Sequence, residues 1–132
     1  MDFDSDGVRL HYEVHGPESG APIVLVHGFA SHYRLNWVGT RWQETLTGAG
    51  FRVIGLDCRG HGDSDKPHDP RAYETSVMAA DVERLLDHLG IEDLSEVKLG
   101  VLEPDGTISI VPATGIVHRS KRRVRYHHRA GN

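Results

Sequence analysis

One apolar run followed by His-Gly constrains the fold more than any other part of the sequence. The run is Ile23-Val24-Leu25-Val26, and His27-Gly28-Phe29 follows it directly. An aliphatic run without a polar break is typical of a strand buried on both faces, as in a parallel sheet covered by helices. A glycine just past such a strand lets the backbone turn where a side chain would obstruct it. The run therefore predicts a central strand over residues 23–27.

The segment before this strand predicts a β-hairpin. Residues 8–15 alternate between apolar and polar side chains, which predicts a half-buried strand near a sheet edge. Asp6-Gly7 precedes them and is typical of a tight turn, so we expect a shorter strand around Phe3 to pair with them. Residues 16–20 are predicted to form a loop.

The segment after the central strand predicts a βαβ unit. Residues 31–50 are expected to form a loop and then one helix, because three apolar residues recur at helical spacing, namely Val38, Trp42 and Leu46. Residues 52–57 are mostly apolar and predict a second buried strand. Strand, helix and strand at this spacing imply parallel pairing with a right-handed crossover.

A second helix is predicted over about residues 76–89. Its apolar side chains form one helical stripe, Met78, Val82, Leu85, Leu86 and Leu89. Thr75 or Ser76 is expected to cap its start, and Gly90 to take the left-handed conformation at its end.

The last third of the sequence has a different character. Residues 97–101 and 108–110 alternate around Glu103-Pro104-Asp105-Gly106, which predicts a hairpin within residues 93–112. Residues 113–132 lack periodicity and are expected to be a disordered basic tail. All 19 acidic residues lie at or before Asp105, whereas the last 27 residues carry six Lys or Arg.

The composition predicts one soluble globular domain in a reducing compartment, which we take to be the cytoplasm. The 132 residues are 38% hydrophobic and 26% charged, and they include one cysteine, Cys58, so an internal disulfide framework is excluded. The acidic N-terminus lacks the apolar region of a signal peptide. No run approaches the roughly 18 apolar residues of a membrane span.

Three motifs in this order resemble the α/β-hydrolase family, in its epoxide hydrolase and esterase branch. They are residues 26–29, residues 51–67 (FRVIGLDCRGHGDSDKP) and residues 80–91 (ADVERLLDHLGI). The resemblance covers residues 1–92 and implies an α/β fold holding the first part of a hydrolase sheet. We therefore divide the chain into a hydrolase-like domain at 1–92, a hairpin at 93–112 and the tail.

The resemblance also implies which residues are functional. In this family the loop after His-Gly forms half of an oxyanion hole, so His27, Gly28 and Phe29 are the candidate site residues, and the backbone N–H of Phe29 is the donor. The alternative is that Gly28 only permits the turn. The resemblance makes Asp57 a structural residue that accepts hydrogen bonds from its own loop.

The family's nucleophile motif, Gly-x-Ser-x-Gly, does not occur in the sequence. Where the resemblance places it, Gly100 aligns with the first glycine, Leu102 with the nucleophile and Pro104 with the second glycine. Leucine cannot attack a carbonyl or an epoxide, and proline removes a backbone N–H. The later strands that carry the triad acid and histidine are also expected to be missing, and His118, His127 and His128 are expected to lie in solvent.

Residues 91–112 resemble the C-terminal hairpin of the cytosolic domain in YetF-type bacterial membrane proteins. The matching run is Leu-Ser-Glu-Val-Lys-Leu followed by Leu-Glu-Pro-Asp-Gly-Thr-Ile-Ser. This resemblance suggests a fusion near Ile91 between a hydrolase segment and an unrelated hairpin.

Four functional hypotheses follow. The favoured one is a catalytically incompetent relic of an ester or epoxide hydrolase. The second is an active hydrolase with a substitute nucleophile such as Asp105. The third is a self-associating module, because one flank of the central strand has no assigned partner, and either the hairpin at 97–111 or another chain could cover it. The fourth is binding of nucleic acid or an anionic surface by the tail, for which a solvated tail is the favoured interpretation. No cofactor is expected, and His11 and His15 lie too far apart along their strand to predict a metal site.

Overall fold

The computed structural model describes residues 1–102, 108–112 and 118–120. Within these ranges the strands are β1 (Asp2–Ser5), β2 (Val8–His15), β3 (Pro22–Val26), β4 (Arg52–Leu56), β5 (Lys98–Leu102), β6 (Ile108–Pro112) and β7 (His118–Ser120). They form one mixed sheet in the order β1-β2-β4-β3-β5-β6-β7. The predicted α/β class is therefore confirmed.

Two α-helices pack against this sheet. They are α1 (Trp42–Gly48) and α2 (Thr75–His88), and shorter helical turns lie at Arg34–Val38, Pro70–Tyr73 and Leu94–Glu96. In the described part of the chain, none of these helices has the length and apolar character needed to span a bilayer.

The centre of the sheet is parallel and its two flanks are antiparallel. β3 pairs in parallel with β4 on one side and with β5 on the other, so that Val24 lies between Ile54 and Leu99. β1, β2, β6 and β7 all pair antiparallel to their neighbours. The predicted N-terminal hairpin is confirmed, and Asp6 and Gly7 both take the positive φ that its tight turn requires.

β3 is buried on both faces, as its apolar run predicts. Ile23 and Leu25 point into one core cluster, together with Tyr33 and Trp37. Val24 points into the opposite cluster, where the buried side chains are those of Phe3, Leu10, Tyr12, Ile54, Leu56, Leu85 and Leu86. The strand therefore anchors both layers of the fold.

α2 forms as predicted, with a different cap. Leu85 and Leu86 are buried, while Val82 and Leu89 pack against the same cluster. The prediction that Thr75 or Ser76 caps the helix was wrong. The helix begins one residue earlier than expected, so Glu74 occupies the cap position and makes no side-chain capping bond. At the other end Gly90 has a φ of +70°, as predicted.

The predicted single helix between β3 and β4 was also wrong. The chain forms a short π-helical turn that ends at Val38, and α1 starts at Trp42. Arg41 has a φ of +66°, a left-handed conformation that interrupts a right-handed helix. Trp42 and Leu46 still pack against the core, whereas Val38 is 40% exposed.

The C-terminal hairpin is present within the predicted bounds of residues 93–112. β5 and β6 pair antiparallel, and the predicted turn at 103–106 lies outside the described residues. The prediction of a disordered tail was wrong for residues 118–120, which pair with β6 because its outer edge offers free backbone N–H and C=O groups. The rest of the tail, with its remaining basic residues and His127 and His128, lies outside the described residues.

The flank of β3 that the sequence left without a partner is occupied by β5. An association site at that edge, which the self-association hypothesis required, is therefore not available on β3. The sheet also runs without a break across residue 92, and the proposed domain boundaries stay predictions.

Gly55 in β4 provides a test of the packing between the sheet and the helical layer. A Cβ at this position would overlap the ring of Tyr33, which is buried. We expect Gly55→Ala to lower the free energy of unfolding by about 1–3 kcal/mol, because overpacking forces neighbouring atoms to shift. Urea denaturation followed by tryptophan fluorescence measures this change.

The matched control is Gly48→Ala at the end of α1. A Cβ there would meet no atom within 4 Å, so the substitution should leave stability unchanged or raise it by up to about 1 kcal/mol. Equal effects of the two substitutions would contradict the packing described here.

Candidate functional site

The loop after β3 is tied to the end of β4 by the side chain of His27. The imidazole is 6% exposed, and its Nε2 accepts a hydrogen bond from the Cys58 N–H at 2.9 Å. Its Nδ1 donates to the Gly28 carbonyl oxygen at 2.8 Å. Since an amide N–H can only donate, Nε2 must be unprotonated and the proton must lie on Nδ1. Burial lowers the pKa of His27, and the neighbouring His61 acts in the same direction.

The same loop is held at two further backbone positions. The Gly28 N–H donates to the Asn36 side-chain oxygen at 2.8 Å, and the Ala30 N–H donates to His61 Nε2 at 3.2 Å. Ala30 has a φ of +57°, a conformation that alanine rarely adopts. The loop is thus fixed on both sides of Phe29.

Phe29 lies at the exposed tip of this loop. Phe29 is 96% exposed, and its ring lies edge-on to the ring of His61, with 6.1 Å between the two centroids. In residues 1–102 and the two later strands, no group accepts a hydrogen bond from the Phe29 N–H. An unused backbone donor at the carboxyl end of a parallel strand is what an oxyanion hole requires. The oxyanion role of His27, Gly28 and Phe29 stays a prediction.

Asp57 organises the loop after β4. Its Oδ1 accepts from the Tyr33 N–H at 2.9 Å, and its Oδ2 accepts from the Asp63 N–H at 3.0 Å. A Cβ on Gly62 would overlap this carboxylate, which explains the glycine there. The prediction that Asp57 bonds its own loop is therefore confirmed.

A buried ion pair joins this loop to α2. Arg59 donates to Asp81 through Nε at 2.7 Å and through Nη2 at 2.6 Å, and both residues are at most 4% exposed. The hydroxyl of Ser5 donates to the same carboxylate at 2.6 Å, and Arg59 also donates to the Ala72 carbonyl oxygen. The Asp81 carboxylate raises the pKa of Arg59.

Sequence reasoning missed this pair, although a signal was present. Asp81 lies three residues after Met78 and four before Leu85, so it falls on the apolar stripe of α2. A carboxylate on a buried helix face needs a charged partner, and that position could have predicted one.

The carboxyl end of β5 lies beside the candidate oxyanion loop. Val101 pairs with Val26, so the backbone of Leu102 is placed next to the start of that loop. Leu102 is the last residue of β5, and the chain returns as the antiparallel strand β6. A nucleophile elbow requires a helix at this point. Asp105, the candidate substitute nucleophile, lies outside the described residues.

A polar cavity of about 210 Å³ lies at the same end of the sheet, on the β2 side. It is lined by His11, Glu13, His32, Arg34, Asp57, Gly62 and Asp63. Possible ligand atoms of His11, Asp57 and Asp63 lie within 4.8 Å of one another, a grouping that strand spacing alone did not reveal. We assign no metal to it, because both Asp57 oxygens already accept backbone hydrogen bonds and the Arg34 guanidinium lies against the same cavity.

Comparison with known proteins agrees with this architecture. The family model described as alpha/beta hydrolase fold matches residues 21–95. The chain is 37% identical over 86 residues to a bifunctional epoxide hydrolase 2 of Mus musculus and 37% identical over 89 residues to epoxide hydrolase B of Mycobacterium tuberculosis. The matches cover 64% and 65% of this chain. They cover 14% and 24% of those relatives, so the chain spans a quarter of their length or less.

Solved structures give the same result. Epoxide hydrolase A from Mycobacterium thermoresistibile superposes with a TM-score of 0.63 and 33% identity. The superposition covers 70% of this chain and 28% of that protein.

The buried ion pair allows a test of what holds the loop after β4. We expect Arg59→Ala to lower the free energy of unfolding by about 3–5 kcal/mol, because it removes both charged hydrogen bonds to the buried Asp81 carboxylate. That carboxylate would keep only the Ser5 hydroxyl and the more distant guanidinium of Arg84, at 3.9 Å. Chemical denaturation measures the loss. Arg59→Lys keeps the positive charge but not the bidentate hydrogen bond, so its free energy of unfolding should lie between those of Arg59→Ala and the native chain.

Arg71→Ala is the matched control. Arg71 also pairs with an aspartate, Asp69, but its side chain is 84% exposed, so its loss should change stability by less than about 0.5 kcal/mol. An Arg59→Ala variant as stable as Arg71→Ala would contradict the role given to the buried pair.

Proposed function

Because the chain belongs to the α/β-hydrolase fold family, we propose that it is a member that keeps the oxyanion loop but does not catalyse hydrolysis by itself. The observation that carries this proposal is the end of β5. The family resemblance aligns Leu102 with the nucleophile, and in support of that alignment its backbone lies beside the loop that starts at His27, with β6 as the next described element in place of a helix. An aliphatic side chain has no lone pair with which to attack a carbon.

Three reactive side chains near this edge, those of Cys58, His27 and His61, do not replace the nucleophile or its base. The thiol of Cys58 is buried, which raises its pKa to about 12 and keeps it protonated at neutral pH. His27 and His61 each use both ring nitrogens in hydrogen bonds to backbone groups. Neither imidazole is free to take a proton from an attacking group.

The Phe29 N–H is a feature of this loop that can bind a ligand oxygen. The relatives named above are epoxide hydrolases, and we propose that a ligand at this edge would be an epoxide or an ester whose oxygen accepts from that N–H. The geometry supports this proposal because the donor lies at an exposed loop tip that other hydrogen bonds hold in place.

The proposal predicts no turnover. We expect the purified chain to hydrolyse p-nitrophenyl acetate and an aryl epoxide no faster than buffer does, and to resist labelling by a fluorophosphonate. Loss of the nucleophile alone lowers kcat by about 10⁶-fold in a well-studied serine protease. Initial rates and labelling, compared with those of Leu102→Ala, measure this prediction, and the two proteins should not differ.

Activity above the buffer rate would contradict the proposal if it depended on specific groups of this chain. Asp105→Asn tests the substitute nucleophile named from the sequence. Phe29→Pro removes the backbone N–H of the loop. Turnover that either substitution abolishes would identify the chain as a working hydrolase.

A further inference from the structure

We propose that His27 and His61 form a pH-sensitive clamp on the loop that carries Phe29. When both imidazoles are neutral the clamp is closed, and when either one gains a proton the loop is released on that side. This inference goes beyond the proposed function and holds whether or not the chain turns over a substrate.

The two histidines make the same pair of hydrogen bonds. His27 donates from Nδ1 to the Gly28 carbonyl oxygen and accepts at Nε2 from the Cys58 N–H. His61 donates from Nδ1 to the Arg59 carbonyl oxygen at 3.0 Å and accepts at Nε2 from the Ala30 N–H at 3.2 Å. One histidine thus lies in the β3 loop and bonds the β4 loop, and the other does the reverse.

This pattern fixes one protonation state for each ring. Both Nε2 atoms face backbone N–H groups, so both must be unprotonated and both rings must carry their proton on Nδ1. A proton added at Nε2 would place two donors against each other, and that hydrogen bond would be lost.

The surroundings of His27 oppose its protonation, so the ring stays neutral to a lower pH than a free histidine does. The groups that face it are His61 across the gap, Asp57 at the end of β4 and His32 in the segment before the π-helical turn. Burial, followed by the two neighbouring histidines, lowers the pKa of His27, while the hydrogen bond to the Gly28 carbonyl oxygen and the charge of Asp57 act in the opposite direction. The ring of His61 lies 5.0 Å from that of His27 between centroids, so two charged rings would repel each other.

The sign of the pH dependence follows from this direction. Unfolded histidine titrates near pH 6.5, and a folded group with a lowered pKa binds fewer protons than its unfolded form there. The closed clamp therefore contributes its full stability above about pH 6.5. That contribution is lost as the pH falls from there through the folded pKa of His27.

Release of the loop should be detectable at the backbone of Ala30. Its φ of +57° is unfavourable for alanine, and the bond to His61 Nε2 helps to hold it. Once that bond is lost, the backbone around Phe29 can relax, and the direction of the Phe29 N–H changes.

Nitrogen-detected NMR of the full chain tests the clamp. At pH 8 we expect both rings as the Nδ1–H tautomer, the less common form of free neutral histidine. Between pH 8 and 5 the amide signals of Cys58 and Ala30 should shift together with the imidazole signals. Relative to the intrinsic exchange rate at each pH, protection of the Ala30 amide should fall by roughly tenfold, the factor that loss of one hydrogen bond corresponds to. Two results would overturn the proposal: an Nε2–H tautomer at either ring, or an Ala30 amide whose chemical shift and protection do not change between pH 8 and 5.

His61→Phe separates the clamp from the general fold. Phenylalanine keeps a ring beside Phe29 and His27 but has no nitrogen. The Ala30 amide should therefore have low protection at every pH, whereas the amide signal of Cys58 should still shift with pH. His68→Phe, at an exposed position, should leave both amides unchanged. A His61→Phe protein whose Ala30 amide remains slow and pH-dependent would refute the clamp. If circular dichroism shows that this variant does not fold, the tautomers of the native chain decide.

Discussion

The hydrogen bond from the Cys58 N–H to the buried imidazole of His27 joins the ends of two neighbouring parallel strands. Parallel strands leave their carboxyl ends side by side, and each ends in a loop whose backbone groups need partners. Here one side chain serves both loops, because the same ring also donates from Nδ1 to the Gly28 carbonyl oxygen of its own loop. The position of Phe29, the cavity beside Asp57 and the contact with His61 all depend on this link.

The contacts that hold this fold together do not involve groups that a hydrolase uses for its reaction. The two-sided burial of β3 and the Arg59–Asp81 pair hold the frame of a hydrolase, and neither needs a nucleophile. β5 pairs with the other side of β3 and β6 pairs antiparallel with β5, so ordinary backbone pairing covers that edge of β3. The contacts that hold a fold together are therefore distinct from the groups that perform a reaction on it.

Sequence reasoning recovered features that rest on periodicity and on turn chemistry. Local patterns with a single physical explanation predicted three features: the strand at 23–27, the Asp6-Gly7 turn and the apolar stripe of α2. It failed where a distant contact decides the outcome. The sequence around Arg41 contains no signal for its left-handed backbone conformation. Residues 118–120 form a strand because β6 lies beside them. The roles of His61 and Asp81 depend on partners 31 and 22 residues away, so spacing alone could not identify them.

The place of β5 in the sheet has a consequence for how the chain folds. Lys98 pairs with Ile23, so the two strands that meet at the centre are more than seventy residues apart in sequence. The hairpins at either end of the sheet involve only near neighbours and can form early, whereas closure of such a long loop is entropically expensive and slow. During synthesis the apolar edge of β3 therefore stays open until residues 98–102 have left the ribosome, and a chaperone would matter most in this interval.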